Sequence, residues 1–244
     1  MRRPALQRAF GRSRLMRRLS IGLLARFELM ILSGHKEPGL VSRLHEARAR
    51  GESLLTGNEA FLLHALARAQ RRLGGAYAEV GVYQGSSAEI MCLGKGDTEL
   101  HLFDTFGGLP APRDGEDEVL HRGQFAAGLE GVRARLAAFE GVEFHPGLFP
   151  DTAEDLGDTR FSLVHLDVDL YASTLDALRY FYPRMLPGGI IVSHDFSILP
   201  GVAEAFATFL ADKEEEAIEL PTTQAMIVRR EAPATREAIA ENNL

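Results

Sequence analysis

Val164-His165-Leu166-Asp167-Val168-Asp169-Leu170-Tyr171 is an apolar run that passes into two acids, and Gly188-Gly189-Ile190-Ile191-Val192-Ser193-His194-Asp195 repeats the pattern downstream. Short, nearly all-apolar runs read as strands buried on both faces of a parallel sheet. An acid at the end of such a strand is delivered to the carboxyl edge, where open α/β sheets bind their ligands. If the two strands are neighbours, Asp167, His194 and Asp195 converge on one cation, with Asp169 beside them. Should the first strand continue, its period of two puts Asp167 and Asp169 on one face. Two carboxylates held close need a cation or a proton between them. A structural cluster hydrogen-bonded to nearby turns is the alternative.

Outward from this pair, short apolar strands alternate with helical periodicity, the mark of an α/β fold with helices on both faces of the sheet. Strands are expected near 77–82, 99–104, 142–145, 161–167, 189–194, 217–220 and 225–229. Helices are expected over 58–73, 86–93, 129–139, 173–185 and 202–212. The last two strands lack a crossover helix between them, which predicts an antiparallel edge. The segment 107–128 is rich in Gly, Pro and charge and long for a connection, so it reads as a mobile lid or a passive surface loop.

A length of 244 residues, 45% of them hydrophobic, suits one sizeable domain with an appended arm. The boundaries are a basic N-terminal arm over 1–56, a main domain over 57–231 and a C-terminal tail over 232–244. The net charge of −7 is uneven: residues 1–50 carry 12 Lys+Arg against 3 Asp+Glu, leaving an acidic body. That body argues against nucleic acid as the main partner. In the arm, Arg17, Arg18, Arg26 and Glu28 interrupt the apolar residues, so no membrane-spanning helix and no stable membrane insertion are expected. The arm reads as an amphipathic docking or oligomerisation helix, with a disordered basic arm and a membrane-surface helix as the alternatives, and a homo-oligomer such as a dimer is the expected assembly. The only cysteine, Cys92, makes a reducing cytoplasm the simplest compartment.

Glu79-Val80-Gly81-Val82-Tyr83-Gln84-Gly85-Ser86-Ser87 leaves a strand and opens a helix. Glycines there let the backbone approach a ligand, and the helix N-terminus offers free N–H groups. The spacing lacks a further glycine of the dinucleotide fingerprint, and the leading acid, Glu79, suits a ligand with an ammonium group. Alone it is equally a tight strand-to-helix turn. The next strand ends at Asp104, placed to take ribose hydroxyls of a nucleoside. Thr105 and Phe106 follow it, and Gly147 with Phe149 could bracket an adenine, although Phe149 also reads as core.

Through Glu79-Val-Gly-Val-Tyr, Leu102-Phe-Asp-Thr-Phe-Gly-Gly-Leu-Pro, Gly147-Leu-Phe-Pro-Asp-Thr, His165-Leu-Asp-Val-Asp-Leu-Tyr and Pro187-Gly-Gly-Ile-Ile, the chain resembles the macrocin, mycinamicin and noviose type of sugar O-methyltransferase. The resemblance covers roughly residues 57–230. It implies a Rossmann-like class I methyltransferase sheet of seven mostly parallel strands and the cofactor S-adenosyl-L-methionine. The cofactor-binding residues would be Glu79, Gly81, Tyr83, Gly85, Ser86, Ser87, Asp104, Thr105, Phe106, Gly147, Phe149 and Asp167. It implies a divalent cation, usually magnesium, at Asp167 and at an acidic pair after the fifth strand, with Asp169 as general base. The acceptor would be a small-molecule hydroxyl, such as a sugar of a natural product.

The chain departs from that pattern at the pair, where His194-Asp195 stands in place of two acids. Magnesium prefers oxygen, whereas imidazole suits first-row transition metals. With Asp167, His194 and Asp195 as ligands, the metal's identity is open, and His194 could itself serve as a base. The other readings are a metal-independent methyltransferase using His194, an NAD-dependent oxidoreductase and a non-catalytic nucleoside-binding protein.

Overall fold

A computed structural model of the chain describes residues 14–51, 53–112 and 120–231. Seven strands form one sheet: β1 Ala76–Val80, β2 Leu100–Asp104, β3 Val142–Pro146, β4 Phe161–Leu166, β5 Met185–Ser193, β6 Ile218–Glu219 and β7 Ala225–Val228. Their spatial order is β3-β2-β1-β4-β5-β7-β6. β1 to β5 run parallel to one another, while β7 is antiparallel to both β5 and β6. This is the mostly parallel sheet with an antiparallel edge that the strand spacing predicts. The chain reverses its direction of growth between β1 and β4, and that switch point opens a crevice beyond the strand ends.

The helices are α1 Arg14–Ser33, α2 Pro38–Ala49, α3 Gly57–Gln70, α4 Ser86–Lys95, α5 Leu129–Leu136, α6 Tyr171–Phe181 and α7 Pro200–Leu210. Alternation along the strands divides the core in two. Tyr77, Leu100, Leu102, Leu163, Ile190 and Val192 pack beneath α1 to α5. Ala78, Val80, Phe103, Val164, Leu166 and Ile191 face α6 and α7. Each fully buried Leu or Phe contributes on the order of 2 kcal/mol by leaving water, so both layers are held mainly by apolar burial.

Two boundaries differ from the sequence expectation for identifiable reasons. α6 stops at Phe181, where Pro183 follows in a short 3-10 turn over Tyr182–Arg184; proline has no backbone N–H with which to continue the helical ladder. β5 then begins at Met185, four residues before the expected Gly189, and its register against β4 shifts between Phe161 and Leu163. The arm forms two helices, and Leu29, Leu32, Leu40 and Leu44 join the core cluster of the main domain. Among the described residues no helix is long and apolar enough to cross a membrane. The tail over 232–244, residues 1–13 of the arm and residues 113–119 of the expected lid lie outside the described residues.

Gly81, directly after β1, shows how tightly the switch point is built. Its φ is +86°, and a Cβ there would fall 1.9 Å from the Asp167 carbonyl oxygen. Its N–H donates to Phe103 O at 2.9 Å while Asp167 N–H donates to Val80 O at 2.9 Å. A side chain at Gly81 would therefore part β1 from the turn that carries Asp167, and only glycine meets both the conformation and the space.

Candidate active site

The cleft at the switch point has two halves. One is built from the β1–α4 turn, with Gly81, Val82, Tyr83, Ser86 and Ser87, and from the end of β2, with Asp104 and Thr105. Gly85 takes the left-handed conformation as the N-cap of α4 at φ 76°, which leaves the first-turn N–H groups of α4 without intrahelical partners. Ser86 lines the cleft, and its buried hydroxyl finds no hydrogen-bond partner among the described residues. Gly147, Leu148 and Phe149 close this half.

Asp104 stands at its centre. One carboxylate oxygen accepts from Val82 N–H at 2.7 Å and Tyr83 N–H at 2.9 Å, and the other accepts from Phe106 N–H at 2.6 Å. A carboxylate has about four acceptor sites, so roughly one is left for a ligand. Asp104 thus fixes the turn as well as facing the cleft. Phe149 does double duty too: it lines the cleft while stacking on Phe181 at 5.3 Å and meeting Phe103 edge-on at 5.3 Å.

Three of the residues expected to bind cofactor lie elsewhere. Glu79 is completely buried and points to the layer under the helices, where its Oε1 meets Nδ1 of His165, its register partner on β4, at 2.8 Å. Burial raises its pKa, against the pull of His165. An acid placed there braces β1 against β4 and does not face the cleft. Phe106, with a φ of 52°, packs against the core. Gly85 shapes the turn without lining the cleft; a Cβ there would lie 2.9 Å from Val132.

The second half holds Asp167, Val168, Asp169, Ser173, His194, Asp195 and Ile198. Asp167, His194 and Asp195 offer ligand atoms that all lie within 4.8 Å of one another. His194 N–H donates to Leu166 O at 2.8 Å, so the β4–β5 ladder runs one residue past the strand and fixes the imidazole beside Asp167. Its Nδ1 lies 3.0 Å from Asp195 Oδ1 and 3.4 Å from Asp167 Oδ1. Asp169 arrives by another route than the expected pleat. β4 ends at Leu166, and a tight turn with Leu170 N–H on Val168 O at 2.6 Å carries Asp169 at φ 60°. Asp195 has the same left-handed backbone, at φ 58°. Such conformations in non-glycine residues are uncommon and gather at functional sites.

The charges explain one another. Burial opposes ionisation of Asp167, but the neighbouring His194 outweighs it and holds its pKa below the usual value. Burial likewise opposes the charge on His194, and the charges of Asp195 and Asp167 outweigh it, pushing its pKa well up. Asp169 goes the other way: burial, then the charges of Asp195 and Asp167, push its carboxyl well above the ordinary range. The cluster carries an excess of carboxylates that a cation would relieve.

A residue that the sequence reading did not single out completes the ring. Glu59, in the first turn of α3, places Oε2 3.5 Å from His194 Nε2. The Thr56-x-x-Glu59 spacing marks a helix start, but nothing in it points to a strand end far along the chain. The roof was equally unforeseen, since Ile21, Leu54 and Leu55 from the arm line the cleft. From the segment 107–128, Gly108, Leu109, Pro110 and Phe125 face it, with Leu109 N–H on Gln124 O at 2.8 Å pinning the loop's base.

The model of the macrocin O-methyltransferase (TylF) family matches residues 62–226. The chain belongs to the TylF family. Among its relatives, a tetracenomycin-C rhamnosyl 4'-O-methyltransferase of Streptomyces olivaceus is 35% identical over 140 residues, 51% of this chain and 54% of that protein. The demethyldecarbamoylnovobiocin O-methyltransferase of Streptomyces niveus is 30% identical over 158 residues, 56% and 58% of the two chains. The chain thus matches little more than half the length of these relatives. Among solved structures, the O-methyltransferase NovP superposes with a TM-score of 0.66 at 22% identity, covering 86% of this chain and all of that one. TomG from Streptomyces achromogenes, in complex with SAM, gives 0.59 at 18% identity over 86% of this chain and 98% of that one. The sheet of this TylF-family chain is therefore that of the class I O-methyltransferases.

Proposed function

We propose that the protein is an S-adenosylmethionine-dependent O-methyltransferase acting on a hydroxyl of a natural-product sugar, with a divalent cation held by Asp167, His194 and Asp195. The observation that carries this reading is the convergence of those three side chains in the cleft whose other half is the α4 N-terminus and Asp104. The relatives named for tetracenomycin, novobiocin and mycinamicin methylation support the substrate class.

The donor set fits a cation. His194 Nδ1 is buried without hydrogen-bond geometry to any described residue and faces two carboxylate oxygens. One nitrogen with two carboxylates suits a first-row divalent metal at least as well as magnesium. When bound, such an ion lowers the pKa of an acceptor hydroxyl and orients it. Asp169 would accept the hydroxyl proton, and S-adenosylmethionine bound in the other half of the cleft would supply the methyl group, the carbon–sulfur bond breaking as the oxygen–carbon bond forms. Burial, then the charges of Asp195 and Asp167, hold the pKa of Asp169 up, and a cation beside them would oppose that rise. His194 is the poorer base, because Asp195 and Asp167 favour its protonated form whenever no metal occupies Nδ1.

The nucleoside half has its own test. Asp104→Ala should weaken S-adenosylmethionine binding strongly, because it removes a ligand-facing acid and releases the N–H groups of Val82, Tyr83 and Phe106 together. Calorimetry with S-adenosylmethionine and with NAD checks this; unchanged affinity in the variant, or tighter binding of NAD, would overturn the assignment.

The same reading puts the protein in the cytoplasm and in a homo-oligomer. Buried Cys92 has no partner cysteine in the sequence. Leu19, Leu23, Phe27, Met30 and Ile31 stand exposed on α1 at spacings that form an apolar stripe. Sedimentation should give a multiple of 26.8 kDa that Leu23→Glu with Phe27→Glu reduces to one chain. A monomeric parent would remove the proposal.

A further inference from the structure

We infer that Glu59 is a positioning residue for the cation site, fixing His194 with the proton on Nε2 so that Nδ1 is presented to Asp167 and Asp195. This rests on the reading of that cluster as a cation site.

Glu59 is 1% exposed, and a charged side chain is seldom buried so fully without partners. Its helix-capping role accounts for only part of its contacts. Oε2 accepts from Thr56 N–H at 2.7 Å, which completes the capping box of α3. Oε1 accepts from the backbone N–H of Thr223 at 3.2 Å and from its hydroxyl at 2.7 Å, which ties α3 to the β6–β7 turn. Both oxygens are thus anchored before His194 is considered, and the carboxylate cannot swing away. Oε2 then faces His194 Nε2 at 3.5 Å.

Both nitrogens of His194 face carboxylate oxygens, and neither makes a hydrogen bond of good geometry to a described residue. A cation between Asp167 and Asp195 would take the lone pair of Nδ1, on the cleft side, which leaves the proton on Nε2, where the fixed Glu59 oxygen can accept it. Imidazole ligands commonly have their second nitrogen held by a carboxylate in this way, which fixes the ring and makes it a better donor. Glu59 lies three residues ahead of the family-matched segment 62–226, so the support for His194 comes from the helix leading into the family core.

The test titrates the 244-residue chain with Mn(II) alone, followed by calorimetry and electron paramagnetic resonance. Glu59→Gln should bind Mn(II) about 10- to 100-fold more weakly than the parent, with S-adenosylmethionine affinity retained. Thr56→Ala supplies the structural control, since it loosens the same helix start but keeps Glu59 against His194; it should lower the melting temperature and leave Mn(II) affinity unchanged. In a His194→Asn background, the effect of Glu59→Gln should vanish, because the two act through one contact. Should Glu59→Gln not fold, Glu59→Asp, which keeps the charge and shortens the reach, enters the same cycle. Equal Mn(II) affinity in parent and Glu59→Gln, an equal loss in Thr56→Ala, or additive losses with His194→Asn would each overturn the role of Glu59. A parent that takes up no Mn(II) would remove the cation reading itself, an outcome separate from the others.

Discussion

Replacing Asp169 by asparagine should slow the chemical step by about 10² to 10⁴-fold, the range over which a positioned proton acceptor contributes, while S-adenosylmethionine binds nearly as before. The substitution keeps the shape of the side chain and removes its basicity. Burial, then the charges of Asp195 and Asp167, push Asp169 up, so the substitution changes the charge facing a cation as well as the proton acceptor. Metal content measured alongside single-turnover rates separates the two effects. His194→Gln is the comparison. A larger loss there with metal occupancy intact would move the proton to His194, against the geometry that holds both of its nitrogens among carboxylates.

The placement of Asp169 shows where sequence reasoning reaches its limit. Apolar runs ending in acids were enough to predict parallel strands delivering Asp167, His194 and Asp195 to one edge, because burial dictates the strand and the chain direction dictates its end. The same logic extended by one pleat put Asp169 beside Asp167 for the wrong reason. β4 ends one residue before Asp167, and Asp169 reaches the cleft through a turn with positive φ, a conformation to which strand periodicity is blind. Glu79 sits deeper than its place in the sequence suggests. Its position before the glycine turn suggests a ligand contact, yet the strand's alternation, visible in Tyr77 and Leu163 on the same side, turns it under the helices to His165.

What remained illegible was long-range. Glu59 announces a helix start in sequence, and its buried contact with His194 depends on how α3 crosses the sheet edge. Ile21, Leu54 and Leu55 read as arm residues, yet they roof the cleft, so the boundary drawn at residue 57 divides the sequence and not the site. Periodicity reports which face of an element is apolar. It does not report which distant element covers that face.

Exhaustive chelation should lower the single-turnover rate by about 10³-fold, since a bound cation supplies several kcal/mol of charge stabilisation, roughly 4 kcal/mol on this scale. Manganese or cobalt should restore the rate at least as well as magnesium. The reason is the chemistry of position 194: where the family resemblance implies an acid, this chain offers the imidazole of His194 with Nδ1 directed at Asp167 and Asp195, and nitrogen favours first-row metals over hard magnesium. The substitution His194→Asp should therefore shift the preference back toward magnesium, measured as the ratio of rates with the two ions at saturation. Full activity after chelation would reverse the picture. The positive charge among Asp167, Asp195 and Glu59 would then be the protonated His194 itself, a cation built into the chain.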